Sequence, residues 1–197
     1  LLPHGYDGQG PEHSSARIER YLLLCDQDEH VPGDGATYDN KDILKAINME
    51  VAMPSNAANY FHLLRTHMRL PFRKPLVVVA PKKLLRYKGA TSDLEYFGEQ
   101  HRWQPLLKDN YAKLAAGDKV RRVVLCSGQV YYDLEAAREA GGHNDVAILR
   151  VESLCPFPFK EIIRNFKRYP NAEITWAQEE PKNAGAWTYV QPRLRNI

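Results

Sequence analysis

No stretch of this chain approaches the ~20 consecutive apolar residues that a helix needs to cross a bilayer, so no membrane span is predicted. Cysteine is scarce. Cys25, Cys126 and Cys155 are odd in number, far apart and outside any CxxC pair, which argues against both a disulfide framework and a thiolate zinc site. Each lies beside apolar residues and is expected to be a buried, reduced thiol, so a reducing compartment fits. Dense charge of one sign is also missing. The formal net charge is +3 with both signs interspersed, and tyrosines and arginines do not form an alternating ladder, so no nucleic-acid partner is called for. The sequence holds no internal repeat, no low-complexity tract and no signal or transit peptide. It opens on Leu1 and runs straight into a motif, as expected of an excerpt from something longer.

What is there is ordinary globular material. The 197 residues are 44% hydrophobic and 26% charged, enough for a sizeable core in one domain or two small ones. A polar, glycine-rich opening over residues 3–15 leads into residues 16–25, where Ile18, Tyr21, Leu22 and Cys25 recur at helical spacing. Ser14 or Ser15 is the expected N-cap, with Glu19 assisting the first turn. Residues 26–40 are acidic and read as a surface loop. A short strand is predicted over 48–53, then a helix capped by Ser55 with Ala58, Phe61, Leu64 and Met68 as its apolar face. Residues 75–81, a β-branched run bounded by prolines, predict a parallel strand buried on both faces.

The pattern weakens through residues 89–117, where a domain boundary is expected. Beyond it strands and helices alternate: strands over 121–127, 146–151 and 173–177, a helix over 130–140 stopped by Gly141-Gly142, and a second helix. That second helix is opened by Pro156-Phe157-Pro158, carries Ile162, Ile163 and Phe166 on one face and ends by Pro170. Alternation with short turns implies an α/β fold of three layers, with mainly parallel sheets covered by helices on both faces.

Three places are candidates for chemistry. Gly33-Asp34-Gly35 followed by Asn40 resembles a signature that holds Mg²⁺ and diphosphate. That signature needs a preceding strand, an intervening helix and ~25–30 residues before its asparagine, so here a turn is expected. Glu179-Glu180, after a strand, could be a paired-carboxylate site; the expectation is a structural role, hydrogen-bonding neighbouring loops. The opening segment is more informative. His4 and His13 flank Gly5, Gly8 and Gly10, with Ser14-Ser15 following. Glycines at that density let backbone approach a ligand closely. Two imidazoles on such a loop can bind a carboxylate or move a proton near neutral pH. The alternative is a tight turn whose histidines cap backbone groups.

Sequence blocks then decide between these readings. Residues 1–17, Leu-Leu-Pro-His-Gly-Tyr-Asp-Gly-Gln-Gly-Pro-Glu-His-Ser-Ser-Ala-Arg, closely resemble a stretch of the 2-oxoglutarate dehydrogenase E1 family and the histidine-rich loop of transketolases. Further resemblances follow in order: Pro54-Ser55-Asn56 through Asn59–Arg65, residues 73–78, residues 81–86, residues 126–134, Pro156-Phe157-Pro158-Phe159, and residues 176–187. The match lapses around residues 26–45, which reads as an insertion in a surface loop.

The resemblance implies that residues 1–90 are the C-terminal half of a pyrimidine-binding domain, 91–119 a connecting region and 120–197 a transketolase C-terminal-like domain. It implies thiamine-diphosphate-dependent oxidative decarboxylation of 2-oxoglutarate, in the tricarboxylic acid cycle, with the succinyl group passed to the lipoyl arm of E2. His4 matches a family histidine in the active-site channel and His13 a second histidine of that loop; these are the catalytic candidates, with Ser14 and Ser15 supporting the loop. The diphosphate and Mg²⁺ site and the cofactor-activating glutamate are expected upstream of Leu1, so the chain alone is expected to be inactive. Partners implied are a second E1 subunit, in a homodimer, and the lipoyl-bearing E2. Tyr131, Tyr132, Trp176 and Trp187 are expected in core or interface. Arg65, Arg73, Lys82, Lys83 and Arg86 surround the 75–81 strand, as a solvated face or an anionic-effector site. Two rival functions are a 2-oxoadipate dehydrogenase E1 and a non-catalytic interaction module; the histidine loop speaks against the latter and the missing cofactor site for it. The implied location is the mitochondrial matrix in a eukaryote, or the cytoplasm in a bacterium.

Overall fold

The computed structural model describes residues 2–4, 15–31 and 40–197. Among these, two four-stranded sheets form the frame. The first takes β1 (Leu2–His4), β3 (Leu76–Pro81), β2 (Glu50–Ala52) and β7 (Ser153–Cys155) in the order β1-β3-β2-β7. The second takes β4 (Leu106–Leu107), β6 (Val146–Val151), β5 (Arg122–Cys126) and β8 (Glu173–Ala177) in the order β4-β6-β5-β8. Four of the six described strand pairings are parallel; β2 with β7 and β4 with β6 are antiparallel. The expected α/β class with mainly parallel sheets is therefore found.

The runs that looked like strands became strands because apolar β-branched residues suit a pleated surface covered from outside. In β5 and β6, Val123, Leu125, Ala147 and Leu149 are fully buried. In the first sheet, β3 lies centrally between β1 and β2, as its sequence implied, with Val78 and Val79 buried. The chain passes from the second sheet to the first at Glu152, between β6 and β7. The peptide bond joining Cys155 to Pro156 is cis. Phe157 and Phe159 then stack edge to face at 5.0 Å inside the main core, each ring contributing about 1.5–3 kcal/mol by burial.

Six described helices accompany the sheets: α1 (Ile18–Leu24), α2 (Asn40–Ala46), α3 (Ala57–Met68), α4 (Val130–Gly141), α5 (Phe159–Phe166) and α6 (Trp187–Arg195). Helix α4 ends where Gly142 turns left-handed at φ 64°, a conformation glycine adopts without strain. Helix α5 buries Phe159, Ile162 and Asn165 and stops short of Pro170.

Several local expectations are corrected. Helix α1 starts at Ile18 without a side-chain cap, and the Ser15 hydroxyl accepts instead from the Arg17 N–H at 3.0 Å. Helix α3 is capped by Asn56, whose Oδ1 accepts from the Asn59 N–H at 2.8 Å; Ser55 is withdrawn from capping because its N–H and hydroxyl both go to Glu152. The buried face of α3 is Ala58, Asn59, His62 and Leu63. The predicted Phe61, Leu64 and Met68 stripe faces outward, with Met68 68% exposed. Asn56→Ala is expected to destabilise the chain by about 1 kcal/mol, the usual cost of a lost N-cap, read as a lower denaturation midpoint with an unchanged slope.

Candidate functional site

Strand β1 ends at His4, which lies opposite Pro81 at the end of β3. Strand β8 ends at Ala177, and Glu180 follows three residues later. The two ends meet. His4 Nε2 is 3.0 Å from Glu180 Oε1, with the two side chains 3% and 6% exposed. This junction of strand carboxyl ends is where open α/β sheets place their ligands, because side chains and loops there converge above the sheet edge.

Electrostatics give the pair a definite protonation pattern. Burial pushes the Glu180 carboxyl up, but the hydrogen bond and charge of His4, with backbone N–H groups of Glu179 and Glu180, outweigh it and hold the group below the usual glutamate range. A carboxylate only accepts, so the shared proton sits on His4 Nε2. The other ring nitrogen, Nδ1, is buried and has no hydrogen-bond partner among the described residues. A buried polar atom without a partner is uncommon and costs stability unless something else meets it.

The segment carrying Glu180 is tied down on every side. The Gln178 amide donates to the carbonyls of Glu180, Pro181 and Ala184, and its oxygen accepts from Trp176 Nε1 and the Trp187 N–H. The Gly185 N–H donates to Glu19 Oε2 at 3.0 Å, linking the loop to α1. Glu179 points elsewhere and accepts from the Gln129 amide at 2.8 Å. Of the two adjacent carboxylates, one therefore serves the loop contact expected from sequence, and the other crosses to the histidine.

Gly185 is required by this geometry. Its φ is +70°, and a Cβ there would lie 2.7 Å from Glu180 Cδ. Gly185→Ala is expected to cost at least about 1–2 kcal/mol from the left-handed backbone alone and to displace the carboxylate. A fall in thermal midpoint together with weaker His4 signals in an NMR titration checks both parts.

The remaining sequence candidates distribute as follows. His13, Ser14 and Gly33-Asp34-Gly35 lie outside the described residues, and Asn40 opens α2. Among the described residues, no group of three His, Cys, Asp or Glu side chains is placed to hold a metal ion. Tyr131 is buried, Tyr132 donates its hydroxyl to the Ser55 carbonyl, and Trp176 packs against the main core. Arg73, Lys82, Lys83 and Arg86 are exposed, as a solvated face would be. Cys126 and Cys155 are buried and Cys25 half-buried; the Cys25 thiol donates to the Tyr21 carbonyl at 3.3 Å and the Cys155 thiol to the Met49 carbonyl at 3.4 Å.

Sequence reasoning also missed a buried polar cluster between the sheets. Glu152, fully buried, accepts from the Ser55 N–H at 2.8 Å, the Ser55 hydroxyl at 2.5 Å and the Asn59 amide at 3.1 Å. Arg150 donates to the same Ser55 hydroxyl at 3.1 Å and lies 4.0 Å over the Tyr131 ring. Beside it opens a polar cavity of about 490 Å³, with Asn59, His62, Tyr96, Arg102 and Arg150 in its walls.

Residues 1–88, which carry His4 and the strands β1, β2 and β3, match the family described as transketolase, pyrimidine binding domain. Residues 91–197 match the family described as 2-oxoglutarate dehydrogenase C-terminal. The chain belongs to the 2-oxoglutarate dehydrogenase E1 family. It is similar to the 2-oxoglutarate dehydrogenase E1 components of Brucella ovis, Brucella canis and Brucella suis, at 49% identity over 98% of this chain and 18% of each relative. The chain thus spans 18% of the length of these curated relatives.

Proposed function

We propose that this chain is the C-terminal part of an E1 subunit that oxidatively decarboxylates 2-oxoglutarate with thiamine diphosphate and passes the succinyl group to the lipoyl arm of E2. The relatives' name and the two family matches support this reading. The observation that carries it is the buried His4 at the strand edge, with one ring nitrogen held by a carboxylate and the other unpartnered among the described residues. In this reading His4 meets substrate in the active-site channel, and His13 joins it from the same loop. Residues 1–90 are the end of the pyrimidine-binding domain, 91–119 connect, and 120–197 form the transketolase C-terminal-like domain.

The cofactor would supply the carbanion-stabilising chemistry, and its diphosphate and Mg²⁺ ligands are assigned outside this chain. No described cluster fits that role. The chain's own contribution is a wall of the channel, at the place where His4 of the first sheet meets Glu180 beyond the second. By itself the chain is expected to be inactive. A second E1 subunit is the proposed partner, and the outward Phe61, Leu64 and Met68 of α3 support a further subunit contact. The relatives are bacterial, which favours the cytoplasm over the mitochondrial matrix.

The test uses the complete polypeptide containing this segment, supplied with thiamine diphosphate, Mg²⁺ and a lipoyl-bearing E2. Turnover of 2-oxoglutarate well above that of 2-oxoadipate is expected. A preference for 2-oxoadipate moves the protein to that branch of the family. A native polypeptide of only 22.6 kDa that binds partners without turning over either acid makes it an interaction module.

A further inference from the structure

The 176–187 block is more than core packing, because the contacts of Gln178, Gly185 and Glu19 hold the loop that carries one carboxylate. The Gln178 side chain gathers three carbonyls of the loop, Gly185 leaves open the space beside the Glu180 carboxyl that a Cβ would fill at 2.7 Å from Cδ, and Glu19 anchors the far end from α1. Glu179 is turned aside to Gln129. What remains is Glu180 Oε1, buried and 3.0 Å from His4 Nε2 across the junction of the sheets.

We propose that Glu180, supplied by the second sheet, is the positioning residue for His4: it holds Nε2–H and so presents Nδ1 to the substrate. This rests on the reading of His4 as an active-site histidine. An imidazole with one nitrogen bonded to a fixed carboxylate has a fixed ring orientation and a fixed tautomer. Only the second nitrogen is then available for exchange of a proton or a hydrogen bond with a ligand. Nδ1 is the buried atom of the ring that has no partner among the described residues. Glu180 touches no reacting atom and acts through His4 alone.

The chain's C-terminal sheet would then do more than organise subunits; it sets the chemistry of a residue on the other sheet. Its effect on rate is bounded by the effect of His4 itself, since a positioning group cannot contribute more than the group it positions.

The experiment is a double-mutant cycle in the complete enzyme, following 2-oxoglutarate-dependent reduction of an artificial electron acceptor. Glu180→Ala is expected to lower kcat by about tenfold to a hundredfold. In the His4→Ala background the same change is expected to lower it by less than about twofold, because two residues acting as one unit are not additive. Glu180→Gln, which still accepts from Nε2 but lacks charge, is expected to fall between wild type and Glu180→Ala with KM little changed. It also carries the cycle should the alanine variant fail to fold. Equal losses in the wild-type and His4→Ala backgrounds overturn the proposal and leave Glu180 a structural residue. Full activity of a Glu180 variant beside an impaired His4→Ala overturns it as well, while leaving the role of His4 intact. Full activity of His4→Ala removes the functional reading first, and this proposal with it.

Discussion

His4→Ala in the complete enzyme is expected to lower turnover of 2-oxoglutarate by ~10²-fold or more, the scale of losing a proton-transfer or charge-stabilising group. The imidazole is 3% exposed and sits at the last position of β1, so its replacement leaves the strand register with β3 in place. The same change strands the Glu180 carboxylate, buried and now without its partner, so some stability is lost with the activity. The two effects separate by pH. Glu180 has a folded pKa below its ordinary value, so the pair's stabilisation is present above the ordinary carboxylate range and is lost as pH falls through the folded pKa. Near neutral pH the variant is therefore less stable than wild type, and the gap closes in acid. The loss of turnover should persist at any pH where the variant remains folded. Steady-state kcat beside thermal melting across pH checks both statements, and unchanged turnover would sink the assignment of His4.

Much of the frame was legible in the sequence, and particular residues show why the rest was not. Val77, Val78 and Val79 between prolines, and the Val123–Leu125 run, announce buried parallel strands because continuous apolar β-branched residues have few other uses. The face of α3 misled for the opposite reason. Ala58, Phe61, Leu64 and Met68 lie on one helical stripe, yet of these only Ala58 is buried, and Asn59, His62 and Leu63 complete the buried face. Asn59 exchanges hydrogen bonds with Gln104 and reaches Glu152, and His62 meets the Tyr96 carbonyl. Buried polar groups are stable when their partners are supplied, and those partners lie far along the chain, beyond any local period. The short β7 and the helix α6, with Pro192 inside it, offered no periodic signal either. At the candidate site, His4 stood out through its motif. Glu180 was singled out only as half of an adjacent carboxylate pair and given a structural role, because a glutamate after a strand looks the same whether it faces water or a histidine from the other sheet.

Glu152→Ala is expected to destabilise the chain by about 3–5 kcal/mol, the range for breaking a buried charged network by removing one member. The site is where the chain leaves the second sheet and enters the first, and the backbone of Glu152 joins both sides: its carbonyl accepts from the Met53 N–H at 2.8 Å, and its N–H donates to the Pro105 carbonyl at 3.0 Å. Truncation leaves the Ser55 N–H and the Asn59 amide without their acceptor, and Arg150 without its nearby carboxyl. Glu152→Gln is expected to cost less. Its oxygen can still accept from the Ser55 N–H and the Asn59 amide, and its amide can donate to the Ser55 hydroxyl once that hydroxyl turns. The two variants differ further in pH response. Burial pushes the Glu152 carboxyl above the ordinary glutamate value, more than Arg150 and the hydrogen bonds of Ser55 and Asn59 pull it down. A raised acid binds its proton more tightly in the folded state, so its contribution to stability is greatest below the ordinary glutamate value of ~4.3 and declines as pH rises through the folded pKa. Glutamine has no such slope. The stability advantage of wild type over Glu152→Gln should therefore shrink as pH is raised above the ordinary glutamate range, in denaturant titrations of both proteins. A gap that widens instead would mean that the carboxylate, and not the acid, is the form this junction holds.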